Sequence, residues 1–539
     1  MFRIPHPPAR GVWYRVSTAG VLALGLLCAA PAAAQAPDAA PQVALDAGSV
    51  RGRWIDGVAM FLGIPYGDDT AAARFAAPRP AAAWTGVRDA TAYAAVAPQQ
   101  PAGGEAVGQP AAEDCLTLNV WTPGPDAARR PVLVYLHGGA FAHGTVNHPL
   151  YDGRRLAARG DVVVVTVNYR LNGFGYLDLE ALGDARFDGM VNAGQHDLLL
   201  ALRWVQAHAA RLGGDPTRVT LFGQSGGGAK IATLMAMPQA QGLFHRAWTM
   251  SGQQITGRTR KAARRTTQRV LARLGLDADD PAHVRAALDA LPTATLAAAF
   301  AGESRAPVVD GRVLPRDPFE PDAPPAARAL PMVLGNVRDE TTSLIGTADP
   351  STFTLDWAGV APALQRHVAA FLGDLDAAAI VARYRHWYPD ATPSDVFFAA
   401  STAARSWKSM LLAADRRAAQ AGPTWVYYVH WRTPADGGRW RSPHKLDIPL
   451  LFGNLEASAY TRDAVAEARG IADAMADALI AFARHGDPNV DGRLRWPRYG
   501  LARREAMVFD RTPQVQADPR GAERRLFAPV PYVQPGTRD

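Results

Sequence analysis

Runs of apolar, largely β-branched residues recur along this chain and alternate with segments of helical spacing. We predict strands at 132–136, 162–167, 219–222, 332–334 and 425–431. Between two of these runs, Leu198, Leu202 and Val205 repeat with the spacing of one helix face. Because uninterrupted apolar strands are typically buried on both faces, the alternation predicts an α/β fold, with a mostly parallel central sheet and helices on both sides.

The chain has 539 residues, a length that ordinarily suggests several domains. The candidate catalytic residues described below lie far apart in sequence, yet each needs the others. We therefore predict a single domain over residues 35–539. Long helical insertions are expected within 254–331 and 347–424.

The first 34 residues have the features of a secretory signal peptide. Arg3, Arg10 and Arg15 precede a short apolar stretch at 21–28, and Ala32 to Ala34 offer a cleavage site. We expect export to the periplasm or the medium after cleavage near Ala34. The apolar stretch is too short to span a bilayer well, so no stable membrane span is predicted. An uncleaved anchor is the alternative.

Charge and motif content argue against several classes of function. The formal net charge is +7, and the basic residues are scattered rather than clustered, so no nucleic-acid partner is expected. Neither a zinc-protease motif nor paired cysteines occur, so no metal is predicted. The glycines at 226–228 lack the Lys-Ser/Thr ending of a phosphate-binding loop, and Lys230 is expected on a helix surface. No cofactor is predicted.

A serine between two glycines follows the predicted strand at 219–222. The segment Gly-Gln-Ser-Gly-Gly at 223–227 precedes a predicted helix at 229–237. A serine at such a strand-to-helix corner forms a nucleophile elbow, where flanking glycines leave room for a sharp turn. In parallel sheets the reacting groups collect at the carboxyl ends of the strands. Ser225 is therefore the candidate nucleophile.

A second glycine-rich turn, His-Gly-Gly-Ala-Phe at 137–141, follows the predicted strand at 132–136. Small residues there let backbone N–H groups approach a substrate oxygen, and the N–H of Gly226 adds one from the elbow. These amides are candidates for an oxyanion hole, which stabilises the negative charge that develops on the attacked carbonyl.

A serine hydroxyl is a weak nucleophile, so Ser225 needs a base and the base needs an orienting acid. His444 lies in a loop after the strand at 425–431, whereas His430 lies within that strand and is expected to be half-buried. Asp339 and Glu340 follow the strand at 332–334. On chemistry alone either carboxylate could orient the base, and a helix-capping role is favoured for Asp339.

One competing arrangement is the Ser-x-x-Lys pattern formed by Ser442 and Lys445, which fits the nucleophile motif of β-lactamase-like esterases. That motif opens a helix after a strand and turn. Pro443 directly follows the serine, and no such context surrounds it. The pattern is therefore not favoured.

The ordered motifs together resemble the type B carboxylesterases, the cholinesterase-like branch of the α/β-hydrolases. The resemblance rests on Phe-Leu-Gly-Ile-Pro-Tyr at 61–66, Glu-Asp-Cys-Leu at 113–116, the turn at 137–141, Asn-Tyr-Arg at 168–170, Gly-Gly-Asp-Pro at 213–216, the elbow at 223–227, Asp-Glu at 339–340, His444 with Ile-Pro at 448–449, and Gly-Asp-Pro at 486–488. It implies an α/β-hydrolase fold with Ser225 as nucleophile, Glu340 as acid and His444 as base. It also implies an oxyanion hole at Gly138, Gly139, Ala140 and Gly226.

The chain departs from the family pattern at two positions. Members usually bridge the cysteine that matches Cys115 to an upstream cysteine, but Ala97 stands where that partner is expected, so Cys115 is predicted to be free. Many members carry Glu before the nucleophile, where this chain has Gln224. The missing negative charge disfavours a cationic, choline-like substrate.

These observations predict a serine hydrolase that cleaves neutral, small to medium carboxylic esters through an acyl-enzyme. Its expected partners are the ester and water, with no cofactor. Three alternatives stay open: an amidase or peptidase with the same triad, a lipase, and an esterase-like binding protein that has lost catalysis.

Overall fold

A computed structural model describes residues 39–100 and 109–536. The predicted signal peptide lies outside the described residues. The strands are β1 (Gln42–Ala44), β2 (Ser49–Arg51), β3 (Arg53–Ile55), β4 (Val58–Pro65), β5 (Val87–Asp89), β6 (Thr117–Thr122), β7 (Arg130–Leu136), β8 (Val163–Val167), β9 (Gly214–Gln224), β10 (Arg246–Met250), β11 (Arg258–Thr259), β12 (Val308–Val309), β13 (Met332–Val337), β14 (Thr424–Val429), β15 (Glu505–Phe509) and β16 (Gln514–Ala517).

Helices connect most of these strands. They are α1 (Arg154–Gly160), α2 (Asn172–Tyr176), α3 (Ala193–His208), α4 (Gly226–Met235), α5 (Arg260–Arg273), α6 (Pro281–Ala290), α7 (Thr293–Ala299), α8 (Thr341–Leu344), α9 (Trp357–Val368), α10 (Ala377–Trp387), α11 (Pro393–Thr402), α12 (Lys408–Ala419), α13 (Asp447–Phe452), α14 (Val465–His485) and α15 (Gly521–Phe527). A π-helical turn, Ala403–Trp407, joins α11 to α12.

Eleven strands form one sheet in the spatial order β16-β15-β14-β13-β10-β9-β7-β8-β6-β4-β3. All neighbours from β15 through β8 in this order are parallel. The strands β16, β6, β4 and β3 add antiparallel flanks. The predicted α/β fold with a mostly parallel sheet is therefore confirmed.

The core lies on both faces of this sheet, as continuous apolar strands require. Neighbouring residues of β9 pack into different clusters: Leu221 lies with Leu198 of α3, and Phe222 lies with Phe452 of α13 and Leu479 of α14. The strand β9 is thus held from both sides. Its carboxyl end, where Ser225 follows, is a rigid platform.

Some boundaries differ from those predicted. The strand predicted at 219–222 is longer than expected, since β9 already begins at Gly214, where that residue pairs with Arg130 at the start of β7. The helices α5 to α7 and α9 to α12 fall in the two segments predicted as insertions. Cys115 is buried and makes no disulfide in the described part of the chain. Within those residues no helix combines the length and apolar character needed to cross a membrane.

Candidate active site

Ser225 occupies the corner between β9 and α4 in a strained backbone conformation, with φ 55° and ψ −122°. Its N–H donates to the carbonyl of Met250 at 2.7 Å. Two glycines make this corner possible. A Cβ on Gly252 would lie 1.8 Å from the carbonyl oxygen of Ser225, and one on Gly227 would lie 1.9 Å from that of Leu136. The predicted elbow therefore depends on glycines that have no space for a side chain.

The side chains of His444 and Glu340 meet at the carboxyl ends of neighbouring strands. Nδ1 of His444 forms a short hydrogen bond with Oε2 of Glu340. The other oxygen of Glu340 accepts from the side-chain amide of Asn336 at 2.6 Å and from the N–H of Val337 at 3.1 Å. Glu340 is fully buried, and His444 is 5% exposed. The carboxylate can thus fix the tautomer of the imidazole and stabilise its protonated form.

Asp339 has a different role from its neighbour and from the helix cap expected for it. Its carboxylate accepts from the N–H of Ser442 at 3.3 Å, and its own N–H donates to the carbonyl of Ser442 at 2.9 Å. These bonds tie the loop that carries His444 to the end of β13. The hydroxyl of Ser442 donates to the carbonyl of Val429 at 2.8 Å. Ser442 is fully buried, so the Ser-x-x-Lys pattern has a structural role here.

Gln224 lies against the imidazole. Its side-chain nitrogen is 3.2 Å from Nε2 of His444, the nitrogen that faces away from Glu340. Its side-chain oxygen is buried and has no partner among the described residues. Gly138 approaches that oxygen closely, since a Cβ there would lie 3.0 Å from it. Gln224 therefore contacts both the base and the glycine-rich turn.

The glycine-rich turn packs directly on the elbow. Gly139 and Ala140 both have positive φ, 92° and 54°. A Cβ on Gly226 would lie 2.0 Å from the carbonyl oxygen of Ala140. No described residue accepts from the N–H groups of Gly139, Ala140 or Gly226. These three amides are free donors beside Ser225, as an oxyanion hole requires.

Lys230 corrects the prediction of a surface lysine, because it is fully buried under the turn. Its Nζ donates to the carbonyl of Ala140 at 2.7 Å and lies 4.2 Å from the ring centre of Phe141 and 4.9 Å from that of Tyr169. No carboxylate pairs with it among the described residues. Burial lowers the pKa of the Lys230 amine well below its usual value. The lysine fixes the orientation of the peptide group that follows Ala140.

His137 supports the same turn from the other side. Its ring stacks on Tyr169 with the ring centres 4.4 Å apart, and the Tyr169 hydroxyl donates to the carbonyl of His137 at 2.6 Å. Burial is the main cause that lowers the pKa of His137 to about 3. A neutral imidazole in this position acts as a rigid packing element of the turn.

A cavity of about 160 Å³ opens over Ser225 and His444. Its walls include Phe141, Leu344, Arg305, Arg405, Ser406 and Gln534. Since Arg305 and Arg405 come from the two helical insertions, the insertions shape the site that the sheet positions. Within residues 39–100 and 109–536, no group of three or more His, Cys, Asp or Glu side chains is arranged to hold a metal ion.

The structure thus brings together every candidate residue: Ser225, His444, Glu340, Gly138, Gly139, Ala140 and Gly226. Sequence reasoning missed Lys230 and the arginines of the cavity. A sign for Lys230 was present, because Thr233 is the only other polar residue of α4 after Gly228, and a helix that is apolar nearly all round is buried. No comparable sequence pattern indicated that Arg305 and Arg405 line the cavity.

Comparison with known proteins gives one consistent result. The model of the Carboxylesterase family matches residues 39–527. The para-nitrobenzyl esterase of Bacillus subtilis (strain 168) is 34% identical over 503 residues, which cover 89% of this chain and 97% of that protein. The phenmedipham hydrolase of Pseudarthrobacter oxydans is 34% identical over 484 residues, covering 84% and 92%.

Solved structures agree. A carboxylesterase of Geobacillus stearothermophilus matches with a TM-score of 0.79 at 34% identity, covering 90% of this chain and 99% of that chain. An esterase of Clostridium hathewayi, described as able to hydrolyse aliphatic aromatic polyesters, matches with a TM-score of 0.74 at 30% identity, covering 92% and 99%.

Proposed function

The chain belongs to the carboxylesterase family and is a type B ester hydrolase, and we propose that it works through an acyl-enzyme with a Ser225-His444-Glu340 triad. The observation that carries this proposal is the short bond between His444 and the fully buried Glu340, beside a serine on a strained corner. Each of these features serves to activate a hydroxyl that is otherwise a weak nucleophile.

In the first half-reaction, Oγ of Ser225 attacks the ester carbonyl while Nε2 of His444 takes the hydroxyl proton. For this step the serine hydroxyl takes the place beside Nε2 that the Gln224 amide holds in this structure. The carbonyl oxygen becomes an oxyanion, which accepts from the N–H groups of Gly139, Ala140 and Gly226. The protonated His444 then gives its proton to the departing alcohol, and the acyl group stays on Ser225.

In the second half-reaction, water replaces the alcohol. His444 takes a proton from the water as it attacks the acyl carbonyl, and the same three amides hold the oxyanion. Collapse of this intermediate breaks the bond to Ser225, returns the proton to Oγ and releases the carboxylic acid. Through its hydrogen bond to Nδ1, Glu340 stabilises the imidazolium in both half-reactions.

We infer further that the substrates include neutral esters and not choline-like cations. The residue that precedes the nucleophile is the uncharged Gln224, and no Asp or Glu lines the cavity among the described residues. A buried cation without a carboxylate would lose its hydration with nothing to compensate for it. The arrangement supports small to medium uncharged esters as the basal substrates.

Ser225→Ala tests the mechanism. We expect hydrolysis of a neutral 4-nitrophenyl ester to fall by roughly a millionfold, because no other hydroxyl stands at the elbow. Ser351→Ala, at an exposed serine outside the cavity, is the matched control and should keep wild-type rates. Turnover by Ser225→Ala near the wild-type rate would overturn the proposed triad, and a faster reaction on the matched anilide would favour an amidase.

A further inference from the structure

Arg305 lies in the wall of the cavity that contains Ser225 and His444. Arg305 makes no hydrogen bond and no ion pair with any described residue, and its Nη2 atom is buried. Arg305 is half-buried as a residue, and a buried guanidinium nitrogen without a hydrogen-bond partner is costly. Packing alone therefore does not explain why Arg305 lies in this wall.

The nearest acid does not supply the missing partner. Glu303 lies two residues before Arg305, but its carboxylate already pairs with Arg269 at 2.7 Å and with Arg273 at 2.6 Å. Burial is the main cause that lowers the pKa of Arg305 to about 10. The guanidinium therefore keeps its positive charge near neutral pH, and Glu303, which raises that pKa from a distance, makes no ion pair with it.

Packing fixes this segment next to the reacting groups. Ala306 packs with Phe141, the last residue of the glycine-rich turn, and with Ala229 of α4. On the other side, the hydroxyl of Ser304 donates to the carbonyl of Gly536, which also lines the cavity. Arg305 is thus held between two anchored neighbours and not on a loose loop.

A second cation contributes to the same wall. Arg405 lines the cavity from the π-helical turn between α11 and α12. Single π-helical turns are frequent at functional sites, because the extra residue redirects side chains. Apolar walls at Phe141 and Leu344 complete a cavity suited to a short hydrocarbon chain with an anion at its end.

We propose that Arg305 forms a carboxylate-binding subsite, so that this esterase prefers half-esters of dicarboxylic acids, with the free carboxylate on Arg305 and the ester carbonyl at Ser225. A planar guanidinium pairs with a planar carboxylate through two parallel hydrogen bonds, which gives both charge and geometry. This inference rests on the proposed ester hydrolysis and names the substrate group that the site recognises best.

The test compares two nearly isosteric esters by pH-stat titration. Monoethyl adipate carries the carboxylate, and ethyl 6-methylheptanoate carries an isopropyl group in its place. Monoethyl esters from succinate to suberate cover the unknown span between Ser225 and Arg305. The quantity measured is the ratio of kcat/KM for the anionic ester to that for its neutral partner, in the wild type and in Arg305→Gln.

We expect the ratio to fall by roughly 10- to 100-fold in Arg305→Gln, mainly through KM, since a charge-assisted hydrogen bond is lost from the bound substrate. Arg305→Lys should recover part of it. Arg503→Gln removes an exposed arginine just before β15, at the amino end of the sheet strands, and should leave both esters unaffected.

A ratio that Arg305→Gln leaves unchanged at every chain length would overturn the subsite, and so would a ratio lost in Arg405→Gln alone. Neutral-ester hydrolysis that depends on Ser225 would still stand, so the two proposals fail separately. Product inhibition of the wild type gives a test without variants. Adipate should inhibit at least tenfold more strongly than hexanoate, and equal inhibition would overturn the proposal.

Discussion

The two halves of the candidate active site are positioned by different kinds of interaction. The first half holds Ser225 and the glycine-rich turn at 137–141 and is formed by β7, β9 and α4. It is positioned by close backbone packing around glycines. The half that holds Glu340 and His444, after β13 and β14, is positioned by hydrogen bonds between side chains and backbone. The first half is therefore sensitive to added atoms, and the second to changed charge or donors.

This difference also decides which site residues can be recognised in the sequence. Packing around glycines needs contiguous short motifs, so Ser225 and the turn at 137–141 were visible as motifs. Hydrogen bonds between side chains need only the right residue in the right place. Asp339 and Glu340 therefore looked equivalent on chemistry alone, and the family resemblance was needed to favour Glu340; the structure adds that Glu340 contacts His444 while Asp339 holds the loop that carries it.

The largest expected effect in the second half is that of Glu340→Gln. We expect kcat for a neutral ester to fall by roughly 1,000- to 10,000-fold, because the amide no longer fixes the imidazole tautomer or stabilises its charge. Asp339→Asn is the matched control beside it and should cost far less. Steady-state kinetics with thermal unfolding as a folding check decide this, and a greater loss in Asp339→Asn would reverse the assignment.

Gly227→Ala should disrupt the backbone packing of the first half most directly. The added Cβ would lie 1.9 Å from the carbonyl oxygen of Leu136, so α4 must move away from the end of β7. We expect the free energy of unfolding to fall by about 3 kcal/mol, together with a loss of activity.

Gly470→Ala in α14 is the control for the same added methyl group, since nothing lies within 4 Å of its Cβ position. It should leave stability unchanged or raise it slightly, because alanine favours a helix. Urea unfolding measures both variants. Equal stability of the two would show that the elbow can relax, contrary to the idea that it tolerates no added atom.

The third effect, a change of stability with pH, concerns Asp447 and sharpens the description of the second half as a charge-sensitive region. Asp447 is fully buried and accepts from the Tyr427 hydroxyl at 3.0 Å. Burial, and then the charge of Glu340, raise its pKa to about 7. Because the folded protein binds this proton more tightly than the unfolded chain, the carboxyl favours folding at low pH. That contribution is lost as the pH rises from about 4 to about 7.

Asp447→Asn should remove this dependence. Relative to the wild type, the variant gains stability between about pH 4 and pH 7, by up to about 1 kcal/mol per pH unit. Urea unfolding at several pH values measures the difference. Asp463→Asn, at an exposed acid, serves as the control. Parallel stability curves for Asp447→Asn and the wild type would contradict the raised pKa.

The architecture and the named site residues were predictable because they follow from periodicity, glycine motifs and family resemblance. Lys230 was not predicted, although its apolar surroundings in α4 held the information. The contact of Gln224 with the imidazole depends on a side-chain conformation that no local pattern specifies. The role proposed for Arg305 could not be predicted from the sequence for another reason. It rests on the absence of a hydrogen-bond partner among the described residues, which only the folded structure shows.

The wide spacing of the triad has a consequence for the order in which the protein is made. The elbow and His444 are far apart in the chain, since His444 follows Gln224 by 220 positions. A ribosome that adds about 5–20 residues per second needs on the order of ten seconds or more to cover that distance. Throughout that interval the nascent chain carries its serine without the histidine proposed to activate it, so under the proposed mechanism a half-made molecule has no competent nucleophile.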